Sequence, residues 1–428
     1  MYAAEVSAYA RLFDLVLEVN RQVLMELGDL RADDAAELAR LTAPRHGAIR
    51  IGRPAELALL ARLFARFGMQ PVDFYDLVPA GLPVMSTAFR PVATDDMEAS
   101  PFRMFCSLLR PELIADEATR SAVVARLDRR QILSPELVEL IERAERAGGV
   151  AADEADVFVA RSVDVFRWQG RARADRATYD AFCRAHKLIA DIAAFPGPHI
   201  NHLTPATLDI DRVQAVMAER GFNAKELIEG PPRRTCPILL RQTACRAEAE
   251  AVSFADAAGG RVEGHHAARF GEVEQRGVAL TRRGRERYDQ CLAAAREQPA
   301  ADPFADFPDT TEALVEAELA YFRFERRAGT TAGQLTPFDL GSARGRAAAL
   351  AAGVLTAQPV RYEDFLPVSA AGIFRSNLDG ARDETYAAAS SPDEFETYLG
   401  CTLLSSDELY ARQQSDSLAA LTETDTDP

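Results

Sequence analysis

Apolar positions at Leu12, Val16, Val19, Val23 and Leu27 recur at helical spacing and predict a helix that opens the chain. Asp33 and Asp34 are placed to cap a short second helix over residues 35–41, as carboxylates do at exposed helix N-termini. The pattern then changes. RHGAIRIG, residues 45–52, is short, partly apolar and glycine-bounded, and reads as a strand. Pro54 is suited to the first turn of a helix running to about Phe67. Two strand-like runs, LPVMSTAFRPVA and FRMFCSLL, occupy residues 82–109.

The section from about 112 to 195 is strongly helical, in four segments (116–130, 134–147, 152–167 and 176–194), and reads as an insertion between strand-rich parts. Strand patterns return in FPGPHINHL (195–203), PILLRQTACRA (237–247) and HHAARFGEVEQRG (265–277). Residues 301–400 read as a helical segment, over 301–350, and a C-terminal active-site loop, with PVRYEDFLPVSAAGIFRSNL (359–378) as a strand followed by an irregular apolar loop. Residues 415–428 are polar and acidic and read as an unstructured tail. The whole is expected to be α+β, a mixed or antiparallel sheet with a helical insertion and flanking helices, forming one catalytic unit over 1–428.

Composition narrows the function. A chain of 428 residues that is 48% hydrophobic can bury a large core without metal clips or disulfides. Its net charge of −16 disfavours nucleic acid and anionic membrane surfaces as partners. No apolar run is long enough to span a bilayer, and the N-terminal segment lacks the basic-then-apolar pattern of a secretory signal. Six cysteines lie at irregular spacing with no CxxC pair, which argues against a structural zinc site. The expectation is a cytoplasmic protein with reduced thiols, and sequence leaves its oligomeric state open.

Histidine is scarce: His46, His186, His199, His202, His265 and His266. An imidazole metal site must draw on these six. In a strand, alternate residues share a face, so His46, Ala48 and Arg50 point one way. A planar guanidinium beside a metal ligand is suited to gripping a substrate carboxylate. Within PHINHL, His202 and His199 point to opposite faces of an extended segment, so one is a ligand candidate and the other supports it. Adjacent His265 and His266 must also diverge. In FGEVEQR, Glu272 and Glu274 share a face, and periodicity does not choose between them. Two histidines and one carboxylate form a facial set that leaves adjacent metal positions for a chelating 2-oxo acid and O2. The same ligands suit a zinc or manganese hydrolase or lyase, and a metal-binding scaffold built on the helices is the non-enzyme alternative.

The strings RHGAIRIG, LPVMSTAFRP, PFRMFCSLLRPELI, HKLIADIAAFPGPHINHLTPATLDIDRVQ, LIEGPPRR, PILLRQT, ARFGEVEQRGVALT and YEDFLPVSAAGIF resemble the 2-oxoadipate dioxygenase/decarboxylase family, also called hydroxyglutarate synthase, over residues 9–410. The resemblance implies a vicinal-oxygen-chelate-like curved sheet enclosing an Fe(II) site. It further implies conversion of 2-oxoadipate and O2 to 2-hydroxyglutarate and CO2, in lysine breakdown, with the same chemistry on another 2-oxo acid as the alternative. By motif position it implies His46, His202 and Glu272 as metal ligands and His46, Arg50, Val368 and Ser369 as substrate contacts, with Arg50 as the catalytic residue. The choice of Glu272 follows a shorter similarity, of FGEVEQR to the F-x-E-x-x-Q-R strand of 4-hydroxyphenylpyruvate dioxygenases. Pro198, Ala206 and a long 256–264 loop depart from the family pattern; none is a proposed ligand.

Overall fold

The computed structural model describes residues 1–28, 35–256, 260–297, 302–366 and 391–421. Its strands, in chain order, are β1 Pro44–Ile51, β2 Gln70–Asp76, β3 Val84–Arg90, β4 Arg103–Leu109, β5 Arg171–Asp175, β6 His202–Pro205, β7 Leu240–Ala244, β8 Glu250–Ala255, β9 Arg261–His266, β10 Phe270–Arg276, β11 Phe322–Arg326 and β12 Leu355–Pro359. Seven form one curled sheet in the order β2-β3-β4-β1-β6-β10-β7. The sheet is mixed: β1 runs parallel to β4 and antiparallel to β6, and β6 runs parallel to β10. This is the α+β architecture with a curved mixed sheet that the sequence led us to expect.

The chain divides into two compact units. The first comprises Met1–Glu229, Gln242–Glu274 and Phe365–Leu404; the second comprises Gly230–Arg241, Gln275–Asp364 and Ser405–Pro428. In the first, strand alternation separates core from chemistry. Ile49 and Ile51 of β1, Met85 and Phe89 of β3, and Met104, Cys106 and Leu108 of β4 point to one face. There they pack with Leu57, Leu60, Leu63 and Phe64 of the helix Pro54–Ala65. Each such fully buried side chain contributes roughly 2 kcal/mol. That helix starts with Pro54, and Glu56 accepts from the backbone N–H groups of Gly52 and Arg53. Glu56 also accepts a bidentate pair from one edge of the Arg130 guanidinium, from Nε at 2.8 Å and from Nη2 at 2.6 Å.

The intervening residues of the same strands face the other way. His46, Arg50, Ser86, Arg90, Arg103 and Ser107 are all buried there, and polar groups withdrawn from water at this density must be paired. Farther along the sheet, Leu12, Leu15, Val16 and Val19 of the helix Ser7–Leu27 cover the apolar face with Val213, Met217 and Val273. The packing is close at Gly271 of FGEVEQR, where a Cβ would lie 2.7 Å from Cδ2 of Leu12 and that side chain would have to shift.

Several expectations change. The 112–195 section contains helices Glu117–Leu127, Pro135–Ala147, Ala155–Val165, Arg176–Ala185 and Lys187–Ala193, but also β5, which pairs with β8. Its last helical pattern is broken at His186, whose side chain caps the following helix by accepting from Leu188 N–H. The 195–203 run is a strand only from His202. In the second unit, the 301–364 section includes the antiparallel pair β11–β12 besides its helices.

The tail expected to be unstructured from Ser415 is instead helical through Ala420, as part of Ser406–Ala420. The reason is non-local. Gln414 accepts from the Phe322 N–H at 2.9 Å, and Ser417 accepts from the Phe324 N–H at 3.0 Å. The polar composition that suggested disorder thus satisfies donors on a strand edge. Residues 422–428 lie outside the described residues.

Candidate metal centre

Three neighbouring strands deliver the site. On β1, His46 sits opposite Thr204 of β6, and Ala48 opposite His202; on β10, Phe270 sits opposite His202. Running parallel to β6, β10 brings Glu272 level with Thr204, and Glu274 bridges Ala206. His46, His202 and Glu272 thereby meet on one face, with their ligand atoms within 4.8 Å of one another. Glu272 Oε2 lies 3.3 Å from His46 Nε2 and 3.1 Å from His202 Nε2. Adjacent donors bound about 2.1 Å from a shared ion stand about 3 Å apart, so two nitrogens and a carboxylate oxygen at these separations fit a divalent metal.

The supporting contacts aim these atoms. Glu274 Oε2 is 2.7 Å from His46 Nδ1, which leaves Nε2 of that ring toward Glu272. Gln242 donates to Glu272 Oε1 at 2.9 Å, so Oε2 is the oxygen turned to the histidines. Thr204 Oγ1 is 3.0 Å from His46 Nε2 and donates to Glu272 Oε2 at 3.2 Å. Arg103, fully buried, lies 3.8 Å from Glu274 Oε1 and donates to the Arg45 carbonyl at 3.0 Å. Such outer contacts set imidazole tautomer and ligand basicity.

Charge follows from burial. Burial pushes the His202 imidazole down to about 3, against the opposing pull of Glu272. Burial alone would raise Glu272, but His202 and His46 hold it below the usual carboxylate range. For His46 the desolvation cost is outweighed by Glu274 and Glu272, and its pKa rises. Buried carboxylates meeting a neutral imidazole make a site that a cation stabilises.

Arg50 lies two alternations beyond His46 on β1 and is 3% exposed. Its Nη1 donates to Asp191 Oδ2 at 2.6 Å. Asp191 belongs to the helix Lys187–Ala193 and gathers a second group. His199 Nε2 and His266 Nε2 reach its Oδ1 at 3.0 and 2.8 Å, and Asn201 donates to its Oδ2 at 3.1 Å. The two histidines of PHINHL are thus separated, His202 to the three-strand cluster and His199 to Asp191. His266 is buried and His265 exposed, the divergence expected of neighbours in a strand.

An aromatic wall closes on the site. The Phe365 ring meets His46 edge-on at 4.9 Å and packs on Phe105 and Tyr75, and its N–H donates to the Tyr75 hydroxyl at 3.2 Å. Val368 and Ser369 lie outside the described residues.

Sequence reading did not single out Asp191, Thr204, Gln242, Arg103 or Phe365. Two of them left a signal. Asp191 interrupts the apolar run LIADIAAF, and Gln242 alternates with the buried Leu240 and Ala244. A polar group in such a place is retained only when it has a partner.

The family model for 2-oxoadipate dioxygenase/decarboxylase matches residues 1–377. A 2-oxoadipate dioxygenase/decarboxylase from Escherichia coli is 45% identical over 97% of this chain and 94% of its own length. Its Pseudomonas putida counterpart is 44% identical over 98% of this chain and 93% of its own. The crystal structure of the Pseudomonas putida hydroxyglutarate synthase in complex with 2-oxoadipate superposes with a TM-score of 0.83 at 42% identity, covering 98% of this chain and 94% of that one. The chain therefore belongs to the 2-oxoadipate dioxygenase/decarboxylase family.

Proposed function

We propose that this protein is a cytoplasmic Fe(II)-dependent dioxygenase that converts 2-oxoadipate and O2 to 2-hydroxyglutarate and CO2, with His46, His202 and Glu272 as the iron ligands. The observation that carries this reading is the convergence of those three side chains from β1, β6 and β10, in a chain of this family. The reaction balances without an external reductant: both atoms of O2 and all six substrate carbons are accounted for in the two products. Bound Fe(II) supplies the O2 activation and the polarisation of the 2-oxo group that loss of CO2 requires.

The chain's own residues bind, aim and exclude. Arg50 takes a substrate carboxylate on its planar fork. Glu274 holds the His46 Nδ1 proton and so keeps Nε2 directed at the metal position. Gln242 and Thr204 orient the Glu272 carboxylate. Phe365, Phe105 and Tyr75 keep water from one side of the site. By resemblance, Val368 and Ser369 complete the substrate contacts.

The test is oxygen uptake by Fe(II)-loaded protein on addition of 2-oxoadipate, with product analysed by mass. One 2-hydroxyglutarate per O2 consumed is expected, and zinc or manganese in place of iron should give no turnover. Uptake only with a different 2-oxo acid would change the substrate, and none with any 2-oxo acid would sink the oxygenase reading.

A further inference from the structure

Asp191 has the surroundings of a part built to hold something still. It is 3% exposed, and its two oxygens receive four donors. His199 and His266 share Oδ1, while Arg50 and Asn201 share Oδ2. Proton assignment around it is self-consistent. With Asp191 accepting at Nε2, the His266 ring carries its proton there, and its Nδ1 accepts from the Tyr179 hydroxyl at 2.9 Å. His199 likewise donates through Nε2. The group can be read as a second two-histidine, one-carboxylate metal site, since its ligand atoms also lie within 4.8 Å of one another. The hydrogen bonds argue otherwise. Both imidazole nitrogens nearest Asp191 are used as donors, and a guanidinium already answers the carboxylate charge at 2.6 Å.

A buried ion pair is a poor device for stability alone, because desolvation consumes most of the Coulomb gain. It is a good device for fixing a long side chain. Arg50 shares a strand face of β1 with His46, and both are buried. The donors that steady Asp191 come from three different parts of the chain: the stretch before β6, the end of β9, and, through Tyr179, the helix Arg176–Ala185. Packing reinforces them, with Trp168 edge-on to His199 at 4.6 Å and Phe195 against His266 at 4.7 Å.

We propose that Asp191, held by His199, His266 and Asn201, is a positioning residue that fixes the Arg50 guanidinium in the orientation required to receive a substrate carboxylate. This rests on the reading of Arg50 as the substrate anchor. Ordering the arginine before substrate arrives removes an entropic cost from binding.

The experiment is steady-state kinetics on iron-loaded Asp191→Asn, Arg50→Ala and the double variant, with 2-oxoadipate varied and iron content measured in each. For D191N the KM should rise about tenfold or more while iron stoichiometry stays at the wild-type value. Adding D191N to R50A should change kcat/KM by less than about twofold, because residues acting through one another are non-additive. Asp191→Glu should recover part of the KM loss. If D191N does not fold, His266→Phe keeps the ring and both charges but removes one donor, and should raise KM about threefold. An unchanged KM in the folded variant, additive losses in the double variant, or loss of a second metal ion per chain in D191N would overturn the proposal and leave the oxygenase reading intact. A wild-type protein that turns over no 2-oxo acid would instead remove that reading, and the positioning role with it.

Discussion

Glu274 stands 2.7 Å from Nδ1 of His46, while Glu272, two residues earlier on the same strand, faces Nε2 of the same ring at 3.3 Å. One imidazole is therefore held between two carboxylates, one at each ring nitrogen. Glu272→Gln should release the metal, because it removes the anionic donor. Glu274→Gln should retain it with affinity reduced by about 10–100-fold, the usual effect of losing an outer carboxylate on a ligating histidine. Chelator competition with metal analysis distinguishes the two; equal loss in both variants would assign them equivalent roles.

The histidines of PHINHL make a second contrast. His202→Ala should abolish metal retention. His199→Ala should keep the metal at wild-type stoichiometry, since His199 serves Asp191. Metal content after gel filtration reads the outcome, and the reverse pattern would exchange their assignments.

Arg50 is expected to matter for substrate and not for metal. Arg50→Ala should lower kcat/KM for 2-oxoadipate by about 2–5 kcal/mol, the range for truncating one side of a desolvated charge pair. Part of that loss reflects Asp191 being left without its guanidinium. Unaltered kinetics would take Arg50 out of the site.

His186 provides a pH signature of the fold. Burial pushes its imidazole down to about 4 from an ordinary 6.5, aided by the Arg50 charge. Because the folded value lies below the unfolded one, the unfolded chain binds the extra proton between them. The stability contribution is therefore complete above about pH 6.5 and is lost as pH falls toward 4, by up to about 3 kcal/mol. His186→Asn keeps a helix-capping acceptor and removes this titration. Denaturant unfolding at pH 7 and pH 4.5 should show a smaller loss in the variant than in the wild type; identical losses would contradict the assignment.

What was legible in the chain was local. Alternation put His46 and Arg50 on one strand face and Glu272 with Glu274 on another, and it required His265 and His266 to diverge. The apolar spacing of residues 12–27 marked a helix that the structure contains as Ser7–Leu27. Long specific strings carried the family. The break at His186 was less legible, because the helical pattern continues across it and only the capping geometry interrupts it.

The sequence by itself determined the α+β class, the short list of imidazoles and the carboxylate pair from which a metal centre could be drawn, because side-chain periodicity and residue chemistry are properties of neighbours along the chain. The tertiary structure alone decided which strands lie side by side, and hence that His202 meets Glu272 while His199 meets Asp191. It also decided that the two glutamates approach opposite nitrogens of His46, and that residues 415–420 continue a helix against β11. These outcomes depend on contacts between segments far apart along the chain, as with the 228 residues that separate His46 from Glu274, and no local pattern encodes which partner a buried polar group will find.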